Sequence, residues 1–109
     1  MFSIRLQRAG LKVEEAGDGT SALKIAKDQY PDIVFVDYHL PDMTGSDLIQ
    51  QMRTHDDGSV SYVIISGRDI EDIEQEAKSS GAALVARKPV SQERLEYILK
   101  KFCSSAKLI

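Results

Sequence analysis

The stretch DIVFVDYHLPDMTG, Asp32 to Gly45, runs the apolar residues Ile33 to Val36 straight into an aspartate and then into a Pro/Asp/Gly loop. Two further apolar runs end on polar residues in the same way. YVII (62–65) stops at Ser66, and ALVA (83–86) is followed by Arg87, Lys88 and Pro89. A carboxylate, a hydroxyl and an ammonium at the ends of three such runs make a set suited to phosphoryl chemistry. Asp37 can act as a nucleophile toward a phosphoryl group, giving an acyl phosphate. Lys88 is a mobile point cation for the phosphoryl oxygens, and Ser66 has a hydroxyl to donate to one of them. Phosphoryl transfer asks mainly for positioning and electrostatics, usually with Mg2+.

What would bring the three together is a parallel sheet. The runs 33–36, 62–65 and 83–86 lack in/out alternation, as parallel strands covered by helices on both faces do. A weaker strand, LKVEEA (11–16), mixes in charge and reads as an edge. Helical patterns lie between the runs. Residues 20–29 carry Ala22, Leu23 and Ala26 on one face and stop before Pro31. Residues 46–54 show Leu48, Ile49 and Met52. Residues 69–79 show Ile70, Ile73 and Ala77, with acids in the first turn and Gly81 placed to stop the helix. The last helix starts at Ser91, a good cap, and stacks Leu95, Ile98, Leu99 and Phe102. The opening MFSIRLQRAG fits either a helical or a strand face, and a helix ending at Gly10 is the preferred reading. Strands alternating with helices predict an α/β fold of βαβ units. In such sheets ligands bind beyond the carboxyl ends of the strands, where Asp37, Ser66 and Lys88 would converge.

The bulk properties narrow the function classes. At 109 residues the chain is one domain, 1–109, with a single modest core. A net charge of -3 without basic clusters gives no footprint for direct nucleic-acid binding. No apolar run is long enough to cross a bilayer, and no signal peptide is visible at Met1 to Gly10. The single cysteine, Cys103, suits a reducing cytoplasm and reads as an apolar helix position. Asp42 reads as a loop charge, and His55, in THDDGS, as exposed.

With these residues in place, the sequence resembles a response-regulator receiver domain, the phosphoacceptor module of two-component signalling. The matching positions are Asp37, Pro41, Met43 and Gly45 in VFVDYHLPDMTG; Ser66 in VIISGRD; and Gly81, Lys88 and Pro89 in GAALVARKPV. EEAGDGTSAL (14–23) matches the family's second-strand-to-second-helix turn, and the likeness covers roughly residues 2–102. Singly, each site residue has a plainer reading: a local acceptor before a turn, a turn serine, a solvated lysine. Their order and spacing together carry the resemblance. It implies a flavodoxin-like sheet, phosphorylation on Asp37, and Mg2+ held by Asp37 and the backbone carbonyl of His39. It also implies Ser66 as the switch hydroxyl, Lys88 as the phosphate-binding lysine, and a cis peptide at Lys88–Pro89, the bond type for which cis costs least. The partner implied is a sensor histidine kinase or a phosphotransfer protein.

The sequence departs from the family pattern in two ways. Receivers begin with a central strand ending in two acids that hold Mg2+. No acidic residue precedes Glu14 here, so that strand and its pair are expected to be absent. Strands sit about 4.8 Å apart, so leaving out the central one opens a gap near 10 Å between 11–16 and 33–36. Closure of the sheet, residues 2–7 as a strand, or a segment from a second copy would fill it, the last giving a strand-exchanged or intertwined homodimer. One carboxylate and one carbonyl make a poor Mg2+ site, and Glu14, Glu15 and Asp18 are not taken as replacements. Second, the family's rotating aromatic three residues before Lys88 is Val85. Apart from these departures, Asp69, Glu71, Asp72, Glu74 and Glu76 crowd one helix against Lys78. A solvated face is the preferred reading of that cluster, and a basic partner the alternative.

Three functions compete on this reading. One is a phosphoacceptor receiver signalling by changed partner binding. Another is a pseudo-receiver, an interaction module left unphosphorylated for want of the acidic pair. The third is a phosphatase of the haloacid dehalogenase type, disfavoured because His39 stands where that family needs a second aspartate. The chain is therefore expected not to be an enzyme.

Overall fold

In a computed structural model of the chain, the described residues are 16–28, 33–56, 58, 60–67 and 70–102. Their elements, in order, are α1 (Gly19–Asp28), β1 (Ile33–Asp37), α2 (Gly45–Arg53), β2 (Ser61–Ser66), α3 (Ile70–Ser80), β3 (Leu84–Arg87) and α4 (Gln92–Phe102). The expected helix ending at Gly10, the strand over 11–16, the gap beside it and the exchanged dimer fall outside these residues, as does Cys103.

The three strands form a parallel sheet in the order β1-β2-β3. Each strand is longer at its polar end than its apolar run: Asp37, Ser66 and Arg87 are all ladder residues. Pairing is a backbone property, so it continues past the last apolar side chain. Alternation hidden in the sequence emerges in the packing. Val34, Val36, Tyr62, Ile64 and Val85 face a core completed by Ala26 of α1, Leu48, Ile49 and Met52 of α2, and Ile73 and Ala77 of α3. Ile33, Phe35, Val63, Ile65, Leu84 and Ala86 face the other way, against Leu95, Ile98 and Leu99 of α4. Both sets are apolar because both faces are covered, which is why the runs read as continuous.

Helix ends follow local chemistry. Thr44 caps α2 in a capping box: its hydroxyl accepts from the Asp47 N–H at 3.1 Å, and its own N–H donates to the Asp47 carboxylate at 3.3 Å. Ser91 caps α4 by accepting from the Arg94 N–H at 3.1 Å. At the end of α3, Gly81 has φ +117°. Its N–H reaches the Lys78 carbonyl while the Ala82 N–H reaches that of Ala77, a Schellman closure. A side chain at Gly81 would also strike Arg53, whose guanidinium donates to the Ser80 carbonyl at 3.3 Å and ties α2 to α3.

One buried polar group stands out. Ser46, on the first turn of α2, is 1% exposed, and its Oγ has no hydrogen-bond partner among the described residues. An unpaired buried hydroxyl costs about 1–3 kcal/mol. Ser46→Ala is therefore expected to raise stability by about 1 kcal/mol, seen as a higher urea midpoint at unchanged slope. A lowered midpoint would show that the hydroxyl makes a stabilising contact.

Candidate functional site

The register of the sheet builds the site. Asp37 lies opposite Ile65, and Ser66, the next residue of β2, lies opposite Arg87. Beyond the named strands the backbone pairing continues: the Tyr38 N–H donates to the Ile65 carbonyl at 2.9 Å, and the Lys88 N–H to the Ser66 carbonyl at 2.9 Å. Asp37, Ser66 and Lys88 thus sit at one carboxyl edge. Lys88 Nζ reaches Asp37 Oδ2 at 2.5 Å, and the His39 N–H donates to Asp37 Oδ1 at 3.1 Å, so both carboxylate oxygens are engaged. The lysine and aspartate side chains are 45% and 38% exposed. A pair this open contributes only about 0–1 kcal/mol to stability. The Lys88–Pro89 peptide is cis, in accord with the resemblance.

Ser66 is fully buried. The His39 side chain is exposed and meets the Tyr38 ring edge-on at 5.0 Å between centroids. His55 is exposed, as expected.

The loop from Asp37 to α2 is tightly closed. The Gly45 N–H donates to the Tyr38 carbonyl at 2.7 Å, and a side chain on Gly45 would come within 2.9 Å of the Asp37 carbonyl oxygen. Only glycine lets α2 start so close to the strand end. Asp42 differs from its sequence reading as a loop charge. Its carboxylate accepts from the N–H of Gly19 at 2.9 Å, the N–H of Thr20 at 3.0 Å and the Thr20 hydroxyl at 2.8 Å, so it caps α1 from across the molecule. Asp18 is committed to the same helix through the Ser21 N–H at 2.7 Å. Tyr38 was also missed: its phenol donates to Glu76 Oε2 on α3 at 2.5 Å. Neither contact has a local signal, since each joins residues far apart in the chain.

These commitments bear on a metal. Asp18, Asp42 and Asp47 all accept hydrogen bonds at helix starts. Among the described residues no three His, Cys, Asp or Glu side chains gather in one place. Mg2+ prefers an octahedron of oxygens, and at the carboxyl edge the described residues bring one carboxylate, that of Asp37. They do not by themselves fit a Mg2+ site.

The arrangement recurs in known proteins. Residues 2–100 match the model of the response regulator receiver domain. The chain belongs to this family. It is 31% identical over 105 residues to the probable transcriptional regulatory protein TcrX of Mycobacterium tuberculosis, covering 93% of this chain and 44% of that protein. It is 27% identical to sporulation initiation phosphotransferase F of Bacillus subtilis, covering 87% of this chain and 76% of that one. Among solved structures, chemotaxis protein CheY4 of Vibrio cholerae superposes with a TM-score of 0.83 at 30% identity, over 94% of this chain and 86% of that chain. The three-stranded parallel sheet with helices on both faces is therefore the flavodoxin-like fold of the receivers. Receiver domains are signalling modules that work with histidine kinases or phosphotransfer proteins, and they generally bind Mg2+.

The Asp42 cap carries a pH signature. The Gly19 N–H, and next the Thr20 hydroxyl, hold its carboxyl below the usual value of 3.8. A carboxyl whose pKa is lower in the folded state stabilises above its unfolded pKa, and the gain is lost as pH falls through the folded one. Wild-type protein is thus expected to be more stable than Asp42→Asn near neutrality, with the two urea midpoints converging below pH 3.8. A gap independent of pH would deny the charge any part in the cap.

Proposed function

We propose that this receiver domain accepts a phosphoryl group on Asp37 and signals by changing how its surface binds a partner. The observation that carries the reading is the Lys88 ammonium on the Asp37 carboxylate at the open carboxyl edge. The pair adds little to the fold, so its placement is better accounted for by chemistry. In the step itself, one Asp37 carboxylate oxygen attacks the phosphorus of a phosphohistidine on a sensor kinase or phosphotransfer protein. The O–P bond forms as the P–N bond breaks, and the leaving imidazole takes up a proton from solvent. Lys88 moves from the carboxylate to the phosphoryl oxygens and offsets their charge. Ser66, one ladder step from Asp37, turns toward the phosphoryl group and supplies a hydrogen bond. No described helix is long and apolar enough to cross a membrane, and a cytoplasmic site of action suits a kinase-fed module.

A second reading, a pseudo-receiver that binds partners without being phosphorylated, draws on the donor set. The described residues bring one carboxylate to the edge where a metal would need more oxygen ligands.

Labelled acetyl phosphate in Mg2+ buffer separates the two, the bond broken then being P–O with acetate leaving. Wild-type protein is expected to take one base-labile phosphoryl group, Asp37→Asn none, and Lys88→Ala at least about tenfold less. The thermal midpoint of Lys88→Ala should stay close to wild type, because the exposed pair contributes about 0–1 kcal/mol. Wild-type protein that stays unlabelled by acetyl phosphate and by a phosphorylated kinase would favour the pseudo-receiver.

A further inference from the structure

Tyr38 joins the phosphoacceptor position to a helix. It is bonded to Asp37 along the chain, and its backbone is fixed on both sides: the N–H on the Ile65 carbonyl and the carbonyl under the Gly45 N–H. Its ring lies half-buried against the core shared with α3. The phenol then reaches Glu76 Oε2 at 2.5 Å, across 38 residues of sequence. Binding to that carboxylate pushes the phenol pKa up to about 12, with burial adding to it. At any ordinary pH the phenol is therefore a proton donor to the carboxylate, a charge-assisted bond.

Occupation of Asp37 disturbs this arrangement. In the unmodified site, Lys88 and the His39 N–H satisfy the two carboxylate oxygens from either side of Tyr38. A phosphoryl group draws one oxygen into a covalent bond and takes Lys88 onto its own oxygens. Because Tyr38 lies between Asp37 and His39 in the chain, a change in the contacts of the Asp37 carboxylate would be felt first at its backbone. On α3, Glu71, Asp72, Glu74 and Glu76 stand against Lys78, which pairs with Glu74 at 3.8 Å. A phosphoryl group adds negative charge to the edge from which Tyr38 reaches that acidic helix.

We propose that Tyr38 is a positioning residue that reports the state of Asp37 to α3: its phenol holds Glu76 while Asp37 is unmodified and releases it on phosphorylation. This rests on the reading of Asp37 as phosphoacceptor. By linkage, loss of the bond favours the phosphorylated state at equilibrium by the same factor that phosphorylation loosens the bond.

Amide hydrogen exchange of α3, in the full chain with and without acetyl phosphate, tests the coupling, and intact mass reports phosphoryl occupancy. In unmodified Tyr38→Phe and Glu76→Ala, α3 is expected to exchange about threefold to tenfold faster than wild type, the range one net hydrogen bond supplies. Glu76→Gln keeps an acceptor oxygen but loses the charge, and is expected between wild type and Glu76→Ala. Phosphorylation should speed α3 exchange in wild type and add little in Tyr38→Phe, with α4 unaffected in all. Phosphorylated protein whose α3 response is the same in Tyr38→Phe as in wild type overturns the coupling and leaves the phosphoacceptor reading standing. Wild-type protein that takes no phosphoryl group removes both.

Discussion

Asp37, Ser66 and Lys88 stand at one edge because β1, β2 and β3 are hydrogen-bonded in parallel at a single register. Asp37 stands beside Ile65, Ser66 beside Arg87, and the ladder bond from Lys88 to Ser66 carries the lysine to the same height. A slip of one residue in β1 would send the Asp37 side chain to the opposite face, away from Lys88. With both faces of the sheet apolar, water does not penalise such a slip; shape does. Tyr62 fits the α2 side because its hydroxyl leaves the core to reach Asp56 at 2.6 Å. On the other face Val63, Ile65 and Ala86 match the ridge of Leu95 and Ile98. Close packing in the core thus fixes a geometry that is used at the rim.

The carboxylates divide by what they hold. Asp18 and Asp42 close the start of α1, Asp47 closes α2, Asp56 takes the Tyr62 hydroxyl and Glu76 takes the Tyr38 phenol. Each of these bonds joins one element to itself or to a neighbour. Asp37 is held differently, by a flexible ammonium and a single loop N–H on an open edge. A carboxylate fixed so loosely keeps a lone pair that can be freed without unfolding anything, which is what attack on phosphorus requires.

Much of this was legible in the sequence, for identifiable reasons. Buried parallel strands write themselves as short β-branched runs, so Ile33–Asp37, Ser61–Ser66 and Leu84–Arg87 could be placed to within a residue. The misplaced ends have a common cause: the ladder follows backbone, and Asp37 and Ser66 pair as well as any valine. Gly81 and Ser91 announced helix boundaries because capping chemistry is local. That Asp37, Ser66 and Lys88 share an edge was readable from the rule that strand ends in a parallel sheet lie together. Asp42 and Tyr38 were not readable, since their partners, Gly19 and Glu76, lie on other elements and no spacing encodes the meeting. The expectation for residues 1–15 turned on a comparison with the family's usual opening, and nothing in the described residues bears on it.

The two contacts that escaped the sequence leave from one loop. Between Asp37 and Gly45 the chain makes an isolated bridge from His39 to Thr44, sends Asp42 to α1 and Tyr38 to α3, and starts α2 where a glycine lets it press on the strand. A loop with Asp37 at one end therefore touches every described helix on its face of the sheet. It does so through hydrogen bonds near the surface rather than through core side chains, whose loss costs about 2–5 kcal/mol. Such bonds can be exchanged singly, whereas the core beneath them cannot be repacked so cheaply. A rigid sheet with a lightly fastened loop at its rim is thus able to change its helices' footing while keeping its fold.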